Sequence, residues 1–312
     1  MTVMQAFDNF IFDRRNRGLS DDSIRAYRNC LTPFMTWLVH DYDITDLSPR
    51  MIVDYIAYLI CRDISMASKA TYIRHLKIFV CWMESAYHLS LDGKFIHVPK
   101  TPLKVLRIYT DNEIQQIYNA ARGYTGWLTM RNCAMVSLML DSGLREGEIC
   151  NLLDKDLHID QHYVKVTGKG NKERYVPIGN VTVYYLDLYY NLCPHFSDHV
   201  FVGYSGNPVT RNAIKHLMYR MASRLPFELS AHKLRHNFAT NYCLDAYQQT
   251  GQVDIYRLMI LMGHEDVKTT RRYLHIANQI ITMYTTSSHL DGLVELRKIS
   301  DNSLFSVTDP NC

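Results

Sequence analysis

The sequence lacks any run of about eighteen consecutive apolar residues, the length that a helix needs to cross a bilayer. Residues 1–15 contain acidic side chains and no small-residue cleavage site, which is not typical of a secretory signal. The eight cysteines form no C-x-x-C pair, which argues against a zinc site or a disulfide framework. These absences predict a cytoplasmic protein with reduced thiols, no membrane partner and no metal site.

The chain also has little net charge, with a formal value of only +3. A hydrophobic fraction of 47% with 21% charged residues is typical of a folded chain, and 312 residues are enough for two domains. The excess lies in residues 1–107, with 14 Lys+Arg against 11 Asp+Glu, whereas residues 108–312 hold 20 of each. This distribution favours an anionic partner for the first third, although many globular domains carry as much charge.

Apolar residues at helical spacing predict four helices within residues 1–96. In the first helix one apolar face is shared by Met4, Phe7, Phe10 and Ile11. Gly18 ends this helix and Ser20 caps the second, whereas Ser48 followed by Pro49 opens the third. The pattern therefore predicts a small helical bundle for this part of the chain.

The fourth helix, over about residues 67–86, turns basic side chains away from its apolar face. It is followed by the segment 97–107, where Pro99 and Pro102 disfavour helix and no acidic residue occurs. Lysines and arginines so placed suit a DNA backbone, but a solvated helix face explains the helical set equally well. The predicted DNA contacts are Lys69, Arg74, Lys77, Lys100, Lys104 and Arg107.

A second domain opens with a capping box, in which Thr110 is followed three residues later by Glu113. A buried helix is predicted near residues 127–140, and Gly143 interrupts the pattern after it. Arg145 follows at the start of another helix. The N–H groups and positive dipole of a helix start favour an anion there, whereas an exposed arginine would need no ligand.

Two short stretches, residues 163–166 and 174–178, predict a β-hairpin around the turn sequence GKGNK. Gly168 and Gly170 supply the positive φ angles that such a turn needs. Lys169 lies at the tip of the hairpin. A lysine in that position either faces solvent or swings onto a ligand.

His232, Arg235 and His236 recur at i, i+3 and i+4, so one helical face presents two imidazoles and a guanidinium. Two histidines at this spacing suggest a metal, but the glutamate of H-E-x-x-H is missing and Arg235 would repel a cation. Arginine binds two phosphate oxygens at once, and histidine can transfer a proton. A phosphate ligand therefore fits this face better than a metal.

In residues 261–276, Gly263 with His264 predicts the end of one helix, and Asp266 is a candidate N-cap for the next. That next helix carries Tyr273 directly after two consecutive arginines. Positive charge nearby would lower the pKa of the phenol and activate it as a nucleophile. Taken alone, Tyr273 is better explained as one of 22 tyrosines that pack inside the protein.

Six of these residues occur in the order found in one known family. Arg145 stands in SGLREGE, Lys169 in GKGNKER, His232 and Arg235 in AHKLRHNFAT, His264 in LMGHEDVKTT, and Tyr273 in TRRYLHI. Their order, the hairpin setting of the lysine and the spacing from His264 to Tyr273 resemble the tyrosine recombinases, also called the phage integrase family. The resemblance covers about residues 1–290 and implies a compact, Xer-like member without an arm-binding domain.

The resemblance also implies a role for each residue, without a cofactor. Tyr273 would attack a scissile phosphate in DNA, forming a 3′-phosphotyrosine and freeing a 5′-hydroxyl. His232 would take the tyrosine proton as general base, and Lys169 would protonate the leaving oxygen as general acid. Three donors would stabilise the phosphate oxygens, which gain charge in the transition state: Arg145, Arg235 and His264.

The implied fold is mainly α, in two domains. A four-helix, SAM-like core-binding domain spans residues 1–96, a linker spans 97–107, and an α-rich catalytic domain with a small β-hairpin sheet spans 108–290. Residues 291–312 form a C-terminal tail. The implied partner is a double-stranded DNA recombination site, on which monomers assemble into a homotetramer.

The implied function is site-specific recombination, either in integration and excision of a mobile element or in Xer-type dimer resolution. Two other functions fit the same fold. One is a DNA-binding accessory protein that does not cleave, and the other is strand relaxation like that of a type IB topoisomerase. The complete set of six residues argues against a protein that only binds.

Apolar residues continue beyond Tyr273. One helical face is shared by Ile276, Ile280 and Met283, and a second apolar set follows a polar break: Leu290, Leu293, Val294 and Leu296. The tail either folds back on its own domain or, as the family resemblance implies, docks on the neighbouring protomer of a head-to-tail tetramer.

Overall fold

The computed structural model describes residues 1–101, 108–168 and 172–285. The chain divides into two compact units, Met1–Lys104 and Val105–Cys312. The predicted domain limits at residues 96, 107 and 290 stay predictions. Several predicted features lie outside the described residues, namely Lys104, Arg107, Lys169 and the second apolar set of the tail.

The first unit is a bundle of four α-helices, as the sequence predicts. They are α1 (Val3–Asn16), α2 (Asp21–Trp37), α3 (Pro49–Cys61) and α4 (Met66–Tyr87). The side chain of Ser20 accepts the N–H of Ser23, and that of Ser48 accepts the N–H of Met51. Both predicted helix starts are therefore confirmed, because each serine satisfies a backbone donor that the helix itself leaves open.

Aromatic rings fill the centre of this bundle. Phe10 of α1 lies edge-on to Phe79 of α4, with ring centroids 5.3 Å apart. Such a pair adds about 0.5–1.5 kcal/mol beyond its buried area. The prediction that Met4 shares the buried face is wrong, because Met4 is 44% exposed. The buried stripe of α1 runs through Val3 and Phe7 instead, which leaves Met4 at its edge.

The described part of the second unit contains eight α-helices and a small sheet. The helices are α5 (Asp111–Ala121), α6 (Trp127–Asp141), α7 (Glu146–Cys150), α8 (Asn180–Leu192), α9 (Arg211–Ala222), α10 (Ala231–Thr250), α11 (Ile255–Met262) and α12 (Val267–Thr285). Helix α6 is buried along most of its length and packs against α8 and α10. The mainly α, two-unit architecture predicted from the sequence is confirmed.

Short local signals set the first helices of this unit. Thr110 caps α5 by accepting the N–H of Glu113, whose carboxylate in turn accepts the N–H of Thr110 at 3.0 Å. The predicted capping box is therefore confirmed. After α6 the chain turns through Gly143, whose φ of +61° favours glycine. This turn places Arg145 immediately before α7.

The sheet has three antiparallel strands in the order β1 (Leu157–His158), β2 (Tyr163–Thr167) and β3 (Glu173–Pro177). The register pairs Val164 with Val176 and Val166 with Arg174, and these four side chains are buried. The predicted hairpin is confirmed, but the predicted positive φ of Gly168 is wrong. Gly168 instead donates its N–H to the carbonyl of Lys172 at 2.8 Å and so extends the pairing of the strands. The strand β1 was not predicted, because two residues are too few to show the alternation of a strand.

Helices α10, α11 and α12 end the described chain. Helix α11 stops at Gly263, which adopts a φ of +58° as its C-cap. The carboxylate of Asp266 accepts the N–H of Lys268 at 2.9 Å, directly at the start of α12. The predicted helix end and helix start are both confirmed. None of the helices in the described ranges is long and apolar enough to span a membrane.

Candidate active site

The structure brings together the five predicted catalytic residues that it describes, on elements far apart in sequence. Arg145 precedes α7, α10 supplies two residues, His264 follows α11, and α12 supplies one. The residues on the two helices are His232, Arg235 and Tyr273. The sixth, Lys169, follows β2 in the sequence and lies outside the described residues. The assignment of these residues as catalytic stays a prediction.

Arg145 is fixed by two partners. Its Nη1 donates to Oε1 of Glu148 at 2.8 Å, and its Nη2 donates to the carbonyl of Gly263 at 2.9 Å. The backbone N–H of Arg145 also donates to Oε2 of Glu148, at 2.8 Å. Its side chain is still 38% exposed, so the protein orients the guanidinium through these bonds and leaves part of it accessible to solvent.

Arg235 is held more deeply, with only 4% of its surface exposed. Its guanidinium donates to the carbonyls of Gly143 and Met262. Burial lowers the pKa of Arg235 to about 9, and the charge of Arg145 acts in the same direction. The guanidinium therefore stays protonated at neutral pH, so it can still serve as a phosphate donor.

Glu148 forms ion pairs with three arginines, Arg145 among them. A two-point ion pair joins it to Arg174 at 2.8 and 2.9 Å, and Nη1 of Arg235 lies 3.9 Å from its Oε2. Burial opposes ionisation of Glu148, but the hydrogen bonds and charges of Arg174 and Arg145 outweigh it and lower its pKa. The carboxylate is therefore ionised in the middle of the cluster.

From the sequence, Arg174 is predicted only as a residue of the second strand. One signal in the sequence could have revealed its role. Arg174 stands two residues before Val176 on β3, so it shares the inward face of the strand with that valine. An arginine on the core face of a strand needs a partner inside the protein. In the structure that partner is Glu148.

His264 follows the helix stop at Gly263. Its Nδ1 lies 2.9 Å from the hydroxyl of Thr270, and its Nε2 lies 3.4 Å from Nη2 of Arg235. Burial, together with the charges of Arg235 and Arg145, lowers the pKa of His264 to about 4. His264 is therefore neutral at physiological pH and could offer a phosphate one N–H donor.

Tyr273 is 2% exposed and packs in an apolar cluster of small and aliphatic side chains. That cluster consists of Ala239, Cys243, Leu258, Met262 and Ala277. Burial raises the pKa of Tyr273, although the charges of Arg235, Arg272 and Arg145 oppose the rise. The expectation that nearby cations would lower this pKa is therefore wrong for the conformation seen here, because burial outweighs them.

His232 and His236 lie one turn apart on α10, with ring centroids 3.9 Å apart. His232 is exposed, and its pKa is lowered by partial desolvation and by Arg235 and Arg272, which leaves it neutral and able to accept a proton. His236 is only 4% exposed, its Nδ1 has no hydrogen-bond partner among the described residues, and its ring centroid lies 5.2 Å from that of Tyr273. His236 thus neighbours both the predicted base and the predicted nucleophile.

The predicted DNA contacts on α4 have different environments. Lys69 donates to the carbonyl of Ile60 at 2.6 Å, and Lys77 donates to the carbonyls of Lys94 and Ile96 at 3.1 and 2.8 Å. These two lysines bind the segments that flank α4. Arg74 is exposed, as is Lys100 in the segment after the bundle. Their contact with DNA stays a prediction.

Family sequence models match both parts of the chain. The sequence model of the phage integrase family matches residues 107–279, and that of the phage integrase N-terminal SAM-like domain matches residues 5–86. Tyrosine recombinase XerD of Halalkalibacterium halodurans is 27% identical over 88% of this chain and 94% of its own length.

Two solved structures share the fold. One is XerH site-specific recombinase bound to a palindromic difH substrate, with a TM-score of 0.67, 19% identity, and coverage of 86% of this chain and 80% of its own. The other is a lambda integrase tetramer bound to a Holliday junction, with a TM-score of 0.67, 18% identity, and coverage of 85% and 78% respectively. At these identities the likeness establishes the architecture.

Proposed function

Because the chain belongs to the phage integrase family, we propose that it is a site-specific DNA recombinase that cuts and rejoins strands through a 3′-phosphotyrosine. The observation that carries the proposal is the convergence of two guanidiniums and an imidazole from three separate elements: Arg145, Arg235 and His264. Donors fixed in advance stabilise a transition state that gains charge, because they need no reorganisation when the charge develops.

The charge of the cluster suits a phosphate diester. Glu148 is one carboxylate among three guanidiniums, those of Arg145, Arg174 and Arg235, so the cluster keeps a positive excess. The side chain of Arg145 is 38% exposed, whereas the other two are nearly buried. A phosphate that approaches Arg145 from solvent would meet the most accessible donor first.

The proposed cleavage step balances without a cofactor. The hydroxyl of Tyr273 gives its proton to His232 while its oxygen bonds to phosphorus. The bond from phosphorus to the 5′ oxygen breaks, and Lys169 protonates that oxygen. The new phosphotyrosine ester retains the energy of the broken phosphodiester, so that attack by a 5′-hydroxyl rejoins a strand without ATP.

Tyr273 must leave its buried position before it can reach a phosphate, since only 2% of it is exposed. We therefore propose that α12 shifts when DNA is engaged. The ring of Tyr273 is already near parallel to that of His264, at a centroid distance of 6.2 Å. A modest displacement of α12 would thus bring the phenol to the donors that surround His264.

The proposed partner is a double-stranded DNA recombination site in the cytoplasm, on which monomers assemble into a tetramer. The named DNA complexes of XerH recombinase and lambda integrase support a DNA partner and assembly on DNA. Integration and excision of a mobile element and Xer-type dimer resolution both use this chemistry. The sequence likeness to XerD makes dimer resolution a candidate beside the mobile element.

Covalent trapping tests the proposal. Wild-type protein is incubated with sheared genomic DNA of its source organism, denatured, and recovered with any DNA that stays attached. Sequencing should return one recurrent site, and the freed 5′ ends should accept labelled phosphate from a kinase without prior phosphatase treatment. Tyr273→Phe is the matched control, because it removes only the hydroxyl.

Other outcomes favour the alternatives. No denaturant-resistant adduct with the wild-type protein would favour an accessory protein that only binds DNA. Adducts at many unrelated sequences, together with relaxation of supercoiled plasmid, would favour a topoisomerase-like activity. A recurrent site whose two copies exchange partners between labelled duplexes would support the recombinase.

A further inference from the structure

Three consecutive carbonyl oxygens at the end of α11 each accept a hydrogen bond from a different arginine. Arg174 Nε donates to Leu261 at 2.8 Å, Arg235 Nη2 donates to Met262, and Arg145 Nη2 donates to Gly263 at 2.9 Å. The last carbonyls of a helix have no partner within the helix and carry the negative end of its dipole. The three guanidiniums satisfy them, and His264 is the next residue in the chain.

Arg174 bonds both to the end of α11 and to Glu148. Its side chain is 8% exposed and reaches inward from β3, where it forms a fork with both oxygens of Glu148. Glu148 uses the same two oxygens to accept the Nη1 and the backbone N–H of Arg145. The hydrogen bonds of Arg174 therefore end on Glu148, which orients Arg145, and on Leu261, in the helix end that leads to His264.

The backbone of Gly263 fits closely against this cluster. A Cβ atom at Gly263 would lie 2.9 Å from Nη1 of Arg174 and 3.3 Å from Nη1 of Arg145. The φ of Gly263 is +58°, which favours glycine on conformational grounds as well. The end of α11 is thus packed directly on the guanidinium of Arg174, and a change in that side chain is transmitted to the residue before His264.

We propose that Arg174 is a positioning residue for the cleavage reaction, and this role rests on the proposed function. Arg174 fixes Glu148 and the end of α11, and thereby aligns the guanidinium of Arg145 and the imidazole of His264 on one phosphate. It does not touch the phosphate itself, because it is buried and its nitrogens are directed at Glu148 and Leu261.

The substitution Arg174→Lys separates positioning from charge. Lysine keeps the positive charge, but a single ammonium group cannot form the fork to Glu148 and the bond to Leu261 together. Misplacement of reacting groups by about 1 Å costs on the order of a hundredfold in rate. We expect adduct formation on a nicked duplex of the trapped sequence to fall about hundredfold, while the Kd for that duplex changes by less than about threefold.

Val176→Ala is the matched control for a weakened strand. Val176 lies on β3 two residues from Arg174, is fully buried and touches none of these hydrogen bonds. The two variants are compared at a temperature where circular dichroism shows both to be folded. Val176→Ala should lower the unfolding temperature and keep the wild-type rate of adduct formation per folded molecule.

A second substrate identifies which part of the site Arg174 supports. A duplex with sulfur in place of the bridging 5′ oxygen needs no general acid, because a thiolate leaves unprotonated near neutral pH. If Arg174 aligns Arg145 and His264, the hundredfold defect persists on the sulfur substrate. Recovery of the wild-type rate with sulfur would overturn the proposal, because Arg174 would then act through the proposed general acid, Lys169.

Three further results decide the matter. A wild-type rate for Arg174→Lys overturns the proposal, as does an equal rate loss in Val176→Ala. A loss of duplex affinity as large as the loss of rate also overturns it, because Arg174 would then serve binding. Absence of any adduct with the wild-type protein is a separate outcome, which overturns the proposed function and this role with it.

Discussion

Arg235 Nη2 lies 3.4 Å from Nε2 of His264, so these two proposed phosphate donors face each other across the end of α11. Arginine can only donate, which makes Nε2 of His264 the acceptor in this contact. To donate to a phosphate from Nε2, His264 must instead accept at Nδ1 from Thr270. The hydroxyl of Thr270, 2.9 Å from Nδ1, can donate or accept and therefore permits both states.

Tyr273→Phe should abolish covalent attachment and leave DNA affinity within about twofold, because only the attacking oxygen is removed. A labelled duplex nicked near the cleavage site provides the assay, with the adduct resolved in denaturant. Phe at a position that is 2% exposed should also fold as well as tyrosine. A denaturant-resistant adduct with this variant would mean that another residue is the nucleophile.

Arg145→Ala and Arg235→Ala should each slow cleavage by roughly a hundredfold or more, the effect of losing one fixed donor. Their stabilities should differ. Arg235→Ala leaves the buried carbonyls of Gly143 and Met262 without their donors, which costs about 1–3 kcal/mol for each group. Arg145 is partly exposed, so its loss should lower the free energy of unfolding less.

Urea unfolding of the two variants measures this difference. Normal cleavage by Arg145→Ala would show that Arg145 is merely an exposed charge at a helix start.

Arg74 and Lys77 of α4 should separate DNA contact from structural support. Arg74→Ala should reduce the slope of log affinity against log salt by about 0.9 on a mixed-sequence duplex, the value for one lost phosphate contact. Lys77→Ala removes the donor to two carbonyls, at Lys94 and Ile96, and should lower the free energy of unfolding by about 1–2 kcal/mol.

Fluorescence anisotropy at several salt concentrations, together with urea unfolding, distinguishes these effects. An equal change of slope in both variants would show that Lys77 also contacts DNA.

Burial of His236 should make the fold sensitive to acid. Desolvation and the neighbouring His232 and Arg272 lower its pKa to about 3 in the folded protein, against about 6.5 when unfolded. Between these values only the unfolded chain takes up the proton, so the contribution to stability is complete above about pH 6.5 and is lost as the pH falls. From pH 7.5 to 5.0 this loss amounts to about 2 kcal/mol.

His236→Phe should remove that loss, which urea unfolding at the two pH values will show. His216→Phe, at an exposed position of α9, is the matched control and should keep the wild-type dependence. An unchanged pH dependence in His236→Phe would mean that other groups cause the acid sensitivity.

Truncation after Thr285 should leave a folded monomer that binds a half-site but no longer fills a full site cooperatively. The apolar face at the end of α12 supports this, because Ile276 is buried whereas Met283 is 81% exposed. The described helix therefore turns part of its apolar face away from the described residues of its unit. Gel-shift titration on half-site and full-site duplexes of the trapped sequence measures the loss.

Met283→Gln in the full-length chain is the companion variant, since it alters an exposed apolar side chain without shortening the protein. Cooperative filling of the full site by the truncated chain would favour a tail that only packs on its own domain.

Local features of the fold could be predicted from the sequence because local chemistry determines them. Ser20, Ser48 and Thr110 each cap a helix through a bond that spans three residues, and Gly263 ends a helix through its own backbone angle. Strand β1 was not predicted, because two residues are too few to show the alternation of apolar and polar side chains. Met4 was misassigned because helical spacing does not show where the edge of a buried stripe falls.

The residues of the candidate site could be predicted because their order matches a family, whereas their supports could not. Glu148 and Arg174 are 26 residues apart, and nothing in either local sequence indicates that they pair. The sequence allowed Tyr273 to be either a packed tyrosine or the nucleophile, but it did not show that the proposed nucleophile itself is buried, since the cluster that covers it comes from α10, α11 and α12 together. Pairing and burial across elements depend on tertiary packing.

The burial of Tyr273, the proposed nucleophile, should restrain cleavage until the side chain is exposed. Exposing a fully buried aromatic side chain costs roughly 1.5–3 kcal/mol, which corresponds to a factor of about ten to a hundred in population. The binding free energy of a random duplex, which only neutralises a few lysines and arginines, does not offset this cost. A matched site can offset it through additional contacts. Cutting should therefore discriminate between sequences more sharply than binding does, and a genome searched by this protein would be scanned without being nicked.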